Sequence, residues 1–202
     1  MKDKRRTQAE RSASTREALI GAGRALFAAR GYAEVGTEEV VKAAGVSRGA
    51  LYHQFGDKSE LFAAVYEAVE GDVIARIAMA VSAAPASDPI ALLRLGASSW
   101  LDACGEPEVH QVALLDAPAV LGLARWRDIS TRYGIGLAEG LLAQAIEAGR
   151  IAPQPITPLA HILLGALREG ALYLAGSADQ AKARQEVGAV IDGMIQALAS
   201  KS

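Results

Sequence analysis

The chain has 202 residues, 51% of them hydrophobic, with one cysteine and a formal net charge of −2. This length allows one domain or two small ones, and a single cysteine excludes an internal disulfide. Apolar stretches end well before the ~18 residues that a membrane span requires, and residues 1–14 lack the apolar core of a signal peptide. We therefore expect a cytoplasmic protein that does not enter a membrane. Ala, Leu, Glu, Arg and Gln favour helix and are abundant, which predicts an all-α fold.

The first segment in chain order is charged. Residues 1–14 are predicted to form a flexible basic arm, which is either a solvated end or a segment that reaches the phosphates or minor groove of a nucleic acid. Its basic residues are Lys2, Lys4, Arg5, Arg6 and Arg11. A first helix is predicted over residues 15–30, because Leu19, Ile20, Leu26 and Phe27 share one face and Gly31 follows as a stop.

Residues 37–55, TEEVVKAAGVSRGALYHQF, predict two short helices joined by a tight turn at residues 44–47. Thr37 is expected to cap the first helix and Ser47 the second. Val46 and Leu51 then occupy the two positions of a hydrophobic staple. This is the layout of a helix-turn-helix, in which the second helix enters the major groove of DNA.

The register of the second helix decides which residues face outward. If Leu51 and Phe55 point into the core, residues 52 and 53 lie about 100 and 200 degrees away from Leu51 on a 3.6-residue helix. The alternative, that Tyr52 and His53 merely cover a small three-helix core, therefore does not suit both side chains. The outward residues suit phosphates and base edges; they are Arg48, Gly49, Tyr52 and His53.

The pattern from about residue 15 to about residue 66 resembles the TetR family of bacterial transcriptional repressors. The resemblance rests on Leu26, Phe27, Gly31 and Tyr32, on the turn Gly45-Val46-Ser47, on Leu51-Tyr52-His53-Gln54-Phe55 and on Gly56-Asp57-Lys58-Ser59-Glu60-Leu61. It implies a helix-turn-helix DNA-binding domain over residues 15–60 and a helical ligand-binding and dimerisation domain over residues 61–202. Thr37 and Lys58 are expected to hold phosphates, and the expected DNA-binding set is Thr37, Ser47, Arg48, Gly49, Tyr52, His53 and Lys58.

Charge is distributed as such a division requires. Residues 1–60 hold 11 Lys and Arg against 8 Asp and Glu, whereas residues 61–202 hold 10 against 15. The local field, more than the total charge, decides whether a protein contacts nucleic acid. A basic head on an acidic body is therefore compatible with DNA binding.

Apolar periodicity places the remaining helices. The fourth begins near Asp57, with Glu60 completing a capping box, and runs to about residue 81. Further helices are predicted at about residues 89–103 and 108–115, from Pro118 to about residue 148, from a Thr157-Pro158 cap to about residue 175, and over about residues 179–199.

The last two helices carry apolar stripes that suit either a core face or a dimer seam. Helix-turn-helix proteins commonly read palindromic sites as two-fold dimers, and the resemblance implies that the last two helices pair with their symmetry mates. We therefore expect a homodimer through Leu159, Leu163, Leu167, Ile191 and Ile195.

The middle helices contain large or polarisable residues that suggest a pocket for an effector of unknown identity. Pockets are mainly apolar with a few placed polar groups, and the alternative is that these residues simply fill core or surface. The candidate pocket residues are Trp100, Cys104, His110, Leu114, Trp126 and Tyr133.

An enzyme is the other class of function. Cys104 and His110 would be a nucleophile and its base, but the three histidines show no metal-ligand spacing and the glycines form no phosphate loop. We expect no catalytic or metal site and no cofactor. The sequence favours a ligand-responsive repressor that a small molecule releases from a palindromic double-stranded operator; the alternatives are an activator of the same fold or a helical enzyme that binds a small molecule.

Overall fold

The computed structural model describes residues 8–85 and 88–199, and within them the chain is helical throughout its regular structure. Its helices are α1 Gln8–Arg30, α2 Thr37–Ala44, α3 Arg48–Phe55, α4 Lys58–Ala83, α5 Pro89–Ala103, α6 Pro107–Val109 with its π-helical continuation His110–Asp116, α7 Ala117–Glu147, α8 Ile156–Ala175 and α9 Gln180–Leu198. The all-α prediction is confirmed. None of the described helices is long and apolar enough to cross a membrane.

The first helix is longer than the sequence pattern predicts. It begins at Gln8, so residues 8–14, predicted as part of a flexible arm, are helical. Ala and Glu in this stretch favour helix and no Gly or Pro interrupts it, and Gln54 of α3 donates a 2.8 Å hydrogen bond to Ser12 Oγ. Arg11 is exposed on α1, whereas Lys2, Lys4, Arg5 and Arg6 lie outside the described residues.

The caps of the helix-turn-helix are partly as predicted. Ser47 caps α3, because its Oγ accepts the Ala50 N–H at 3.2 Å, and Leu51 is fully buried. The predicted cap at Thr37 is wrong: Gly36 is the N-cap of α2, and Thr37 is the first helical residue. Glu39 satisfies the exposed Gly36 N–H at 3.4 Å, so that the helix start does not need a threonine hydroxyl.

Two other predicted caps also differ in detail. Asp57 caps α4 by accepting the Glu60 N–H at 2.8 Å. The Glu60 side chain, however, pairs with Arg125 and does not complete a capping box. The predicted cap at Thr157 is wrong, because α8 begins at Ile156 and the Thr157 hydroxyl donates instead to Glu139 on α7 at 2.6 Å.

Helix α4 joins the three-helix head to the body. Its first turns bury Leu61 and Phe62 against α1, where Phe62 packs edge-on against Phe27 and Tyr32 with ring centroids 5.4 and 5.2 Å apart. Its later turns bury Val73 and Ile77 in the body. The buried residues of the head and of the body therefore form one continuous core.

The π-helical segment after α6 supports the head from the other side. Asp116, its last residue, accepts the Tyr32 N–H at 2.7 Å. Glu108 of α6 receives two hydrogen bonds from Arg24 of α1, at 2.7 and 2.8 Å. π-helical turns are rare and often occur at functional positions. Here the segment fixes the loop that leads into the helix-turn-helix.

The junction between Asp116 and Tyr32 gives a stability prediction. Asp116→Ala leaves the partly buried Tyr32 N–H unpaired, which costs roughly 1–3 kcal/mol. The expected result is a lower free energy of unfolding in chemical denaturation. Asp128→Ala is the control, because Asp128 is exposed and makes only a surface ion pair with Arg132, worth about 1 kcal/mol or less. Equal losses in the two variants would show that the junction contributes nothing particular.

Candidate DNA-binding surface and ligand cavity

Helix α3 presents the outward surface that its register predicts. Leu51 and Phe55 are buried, at 0% and 8% exposure. Ser47, Arg48, Gly49, Tyr52 and His53 are all exposed. Ser47 lies at the N-terminus of α3, where free backbone N–H groups favour an anion. Orientation alone is observed here, and contact with DNA stays a prediction.

Polar contacts link the outward residues of α2 and α3. The Arg48 guanidinium lies 5.6 Å from the centre of the Tyr52 ring and 3.5 Å from the Glu38 carboxylate. A hydrogen bond from Arg48 is the largest cause that lowers the pKa of the Tyr52 phenol, and a hydrogen bond from Thr37 is the next. Thr37 therefore does not cap α2 but contacts the candidate recognition helix, and this holds Tyr52 in place on the outer surface.

Lys58 is engaged within the protein. Its ammonium group donates a 2.6 Å hydrogen bond to the Tyr32 carbonyl and lies 3.9 Å from the centre of the Tyr32 ring. Burial lowers the pKa of Lys58, and the nearby Asp116 charge opposes that effect. The side chain connects α4 to the loop after α1, so it is not the free surface cation that the sequence suggested.

A cavity lies in the body between α4, α5, α7, α8 and α9. The cavity has a volume of about 80 Å³. The space exceeds the ~10–15 Å³ that one water needs and is roughly half that of a ~150 Å³ cavity that binds benzene. Its wall is mainly aliphatic and includes Ile74, Ile77, Leu93, Gly96, Ala97, Trp100, Gly134, Leu137, Ala138, Leu141, Leu163, Leu164, Leu167, Ile191, Met194 and Ile195, with Glu70 and Ser130 as polar members.

Of the six predicted pocket residues, Trp100 alone lines this cavity. Cys104 and Leu114 form a small buried cluster with Ala171, and His110 contacts Gln180 at 3.2 Å. Trp126 donates to the Ala113 carbonyl at 2.9 Å. Tyr133 packs beside Gly71, so close that a Cβ on Gly71 would lie 3.2 Å from its ring. The six residues therefore do not line one cavity: Cys104 and His110 share a second cavity between α5, α8 and α9, and contact of any of the six with a ligand stays a prediction.

Burial also bears on the enzyme alternative. Cys104 is 3% exposed, and burial raises the pKa of its thiol well above the usual range. The thiolate is the nucleophilic form of cysteine. The environment of Cys104 therefore disfavours the nucleophile and base pair that the sequence left open.

The cavity contains a buried carboxylate that the sequence analysis missed. Glu70 is 6% exposed, and the Tyr66 hydroxyl donates to its Oε1 at 2.9 Å. Burial raises the pKa of Glu70, opposed by this hydrogen bond and by the charge of Arg168. Glu70 and Tyr66 are four residues apart on the buried side of α4. A glutamate among the apolar positions of α4 was the available signal.

Arg168 on α8 provides the positive charge near this carboxylate. Its Nη2 donates to Thr131 Oγ1 at 3.1 Å, and its guanidinium lies 5.8 Å from the Trp126 ring centre. Burial lowers the pKa of Arg168. Its buried Nε has no hydrogen-bond partner among residues 8–85 and 88–199.

The predicted dimer residues face inward. Leu163, Leu167, Ile191 and Ile195 line the cavity, and Leu159 is buried in the core. Within one chain these residues therefore pack against the cavity and the core, with Leu163 and Leu167 half-buried, and their part in a dimer seam stays a prediction. The opposite faces of α8 and α9 expose large apolar side chains, namely Ile162 at 63%, Tyr173 at 59% and Val190 at 64%.

Glycines occur on both the inner and the outer faces of these two helices. A Cβ on Gly170 would lie 2.7 Å from Val187 Cγ1, so Gly170 allows α8 and α9 to pack closely within the chain. A Cβ on Gly165 or Gly193 would meet nothing within 4 Å. The latter two lie on the outer face, which we call the α8–α9 face and define by Ile162, Gly165, Tyr173, Val190 and Gly193.

Comparison with known proteins gives the family. The model described as bacterial regulatory proteins of the tetR family matches residues 19–65, and the model described as tetracyclin repressor-like C-terminal domain matches residues 90–198. The transcriptional regulator AcrR of Shigella flexneri is 36% identical over 90 residues, which are 45% of this chain and 41% of AcrR. This chain thus matches less than half the length of the first curated relatives.

Solved structures match over nearly the whole chain. A TetR-family transcriptional regulator from Pectobacterium atrosepticum is 31% identical with a TM-score of 0.84, over 97% of this chain and 99% of that one. RolR in complex with resorcinol has the same fold, with 20% identity and a TM-score of 0.77, over 96% and 97% of the two chains. The first family model ends at residue 65 and the second begins at residue 90. Together they leave the segment between them and the two termini unmatched. The chain belongs to the TetR family of bacterial transcriptional regulators.

Proposed function

We propose that the protein is a cytoplasmic homodimeric repressor that binds a palindromic DNA operator and is released from it by a small molecule. The observation that carries this proposal is the shared helix α4, which packs on the helix-turn-helix at one end and lines the cavity with Glu70, Ile74 and Ile77 further along. One buried helix thus contacts both candidate sites. Helix-turn-helix dimers read half-sites about 34–36 Å apart. A shift of α4 changes the distance between the two recognition helices of the dimer, and it therefore alters DNA affinity.

DNA contact is assigned to the outer surface of α3 with the start of α2. Arg48, Tyr52 and His53 supply a cation and polar rings for phosphates and base edges, and Gly49 allows close approach of the backbone. Ser47 and Thr37 lie at helix N-termini that favour phosphate. For Lys58 to bind a phosphate, its ammonium group must give up the hydrogen bond to the Tyr32 carbonyl.

Dimerisation is assigned to the α8–α9 face, in place of the inward residues that the sequence suggested. Soluble monomers rarely leave large contiguous apolar patches exposed. Gly165 and Gly193 leave open space on this face, which suits the close approach of a second pair of helices. A second copy of the chain covers the face through a two-fold, self-complementary contact.

Release from DNA is a shift between two arrangements of the dimer. A ligand that binds one arrangement better can move the equilibrium only by its difference in affinity, and coupling of about 1–3 kcal/mol weakens DNA binding about 5- to 150-fold. The π-helical segment, held to the head through Asp116, is a second route from body to head. The solved complex of RolR with resorcinol supports a small molecule as the effector.

The assigned DNA surface predicts two distinguishable losses. Arg48→Ala and Tyr52→Ala should each weaken binding to an operator fragment, found by genome-wide mapping, by about 5- to 150-fold. Arg48→Ala should also lower the slope of log affinity against log salt by about 0.9, because one phosphate contact is lost; neutral Tyr52 should leave the slope unchanged. Fluorescence anisotropy across a salt series measures both. Lys182→Ala, an exposed cation on α9, is the control, and unchanged affinity in both α3 variants would remove α3 from the interface.

The α8–α9 face predicts assembly. Ile162→Glu with Val190→Glu places unpaired charges in the proposed seam, so sedimentation should show monomers and affinity for the palindrome should collapse. Met79→Glu is the matched control, because Met79 on α4 is 64% exposed, as is Val190, but lies outside the face. A double variant that stays dimeric would place the interface elsewhere.

A further inference from the structure

The cavity gives information about its ligand beyond its apolar wall. Glu70 is nine-tenths buried and belongs to the cavity lining. Among the described parts of the chain, its hydrogen-bond donor is the Tyr66 hydroxyl, which occupies Oε1. No hydrogen bond to the second oxygen, Oε2, is present there, and Oε2 is not one of the fully enclosed unpaired side-chain atoms, which in the described residues are represented by Arg168 Nε; Oε2 is therefore accessible from the cavity.

From this geometry we propose that the effector is a neutral, single-ring compound whose hydroxyl group donates a hydrogen bond to Oε2 of Glu70. This inference rests on the proposed function, because it names the class of ligand for the same cavity. It assigns a binding role to Glu70, a residue that belongs neither to the DNA surface nor to the proposed dimer face.

Size supports a single ring. The cavity volume of about 80 Å³ is roughly half that of a ~150 Å³ apolar cavity that binds benzene, so the cavity favours a ligand no larger than one ring. The surrounding aliphatic side chains Ile77, Leu141 and Leu167 gain from burial against a ring face or edge but offer it no hydrogen bond. The compound is therefore apolar apart from the group that reaches Glu70.

Charge selects a neutral donor. A carboxylate ligand would place a second negative charge beside Glu70, in a site where burial already disfavours the charged form. An ammonium ligand would lose its hydration in an apolar cavity, and a buried ion pair with Glu70 does not in general repay that desolvation cost. A hydroxyl satisfies Oε2 without adding charge.

Ligands of matched size test this class. Phenol and toluene both have a six-membered ring with one small substituent, and they differ in the donor. Calorimetry on the full-length protein should show phenol binding about 10- to 100-fold more tightly than toluene, as expected for a hydrogen bond to a charged acceptor. Benzoate and benzylammonium should bind more weakly than phenol. The melting temperature should rise most with phenol at equal concentration.

Variants at one position separate the hydrogen bond from the shape of the site. Glu70→Met removes the acceptor and keeps the volume, so the preference for phenol over toluene should disappear while toluene still binds. Glu70→Gln retains an acceptor oxygen and should show an intermediate preference. Glu67→Met is the matched control, because Glu67 lies on the same helix but pairs weakly with Arg132 outside the cavity; it should leave the preference unchanged.

Gel shifts with the operator fragment keep this inference separate from the proposed function. Wild-type protein that binds the fragment, but binds phenol no better than toluene, overturns the inference and leaves the function intact. Tighter binding of benzylammonium than phenol, or no binding of any of the four compounds, also overturns it. If wild-type protein binds no defined DNA fragment, the proposed function fails whatever the calorimetry shows.

Discussion

Burial of helix α4 on both sides is the constraint on which the other parts of the structure depend. Its first turns fill the space beneath α1 with Leu61 and Phe62, and its middle turns fill the body with Val69, Val73 and Ile77. Protein interiors are as closely packed as organic crystals and do not deform continuously. A displacement of α4 therefore moves the head with it, since sliding between the two would open voids on both sides.

The same helix carries the polar groups that matter at each end. Lys58, in its first turn, bonds the Tyr32 carbonyl, and Glu70, twelve residues later, lies in the cavity wall. At 1.5 Å per residue the two are about 18 Å apart along the axis. Glu70 and the head are thus joined by one hydrogen-bonded helix, and the contact between Asp116 and Tyr32 is a second connection, from the π-helical segment.

Sequence reasoning succeeded where local periodicity decides the outcome. The 3.6-residue repeat assigned inward and outward faces to α3, and Ser47 and Asp57 were recognised as caps because a cap is a local interaction between neighbouring residues. Local reasoning failed at Thr37, because the preceding glycine already provides the extended N-cap conformation and Glu39 supplies the acceptor.

Nonlocal packing accounts for the larger errors. An apolar stripe on α8 or α9 suits a core, a cavity wall or a partner equally well, so periodicity could not tell Leu163, which faces the cavity, from Ile162, which faces outward. Aromatic residues drew attention to Trp126 and Tyr133, yet these pack elsewhere in the body. Glu70 was overlooked because a single glutamate in a long helix reads as a surface residue until tertiary contacts bury it.

Neighbouring residues of α9 face opposite ways: Ile191 and Ile195 point into the cavity, whereas Val190 is exposed on the outer face. With a second copy seated on that face, each cavity wall is also the reverse side of the subunit contact. A ligand bound in one cavity then alters the packing around the equivalent cavity of the second copy. In the proposed dimer the two cavities are then coupled sites, and a Hill coefficient different from one is the measure of that coupling. In that dimer the thickness of one helix is all that separates a bound ligand from the subunit contact.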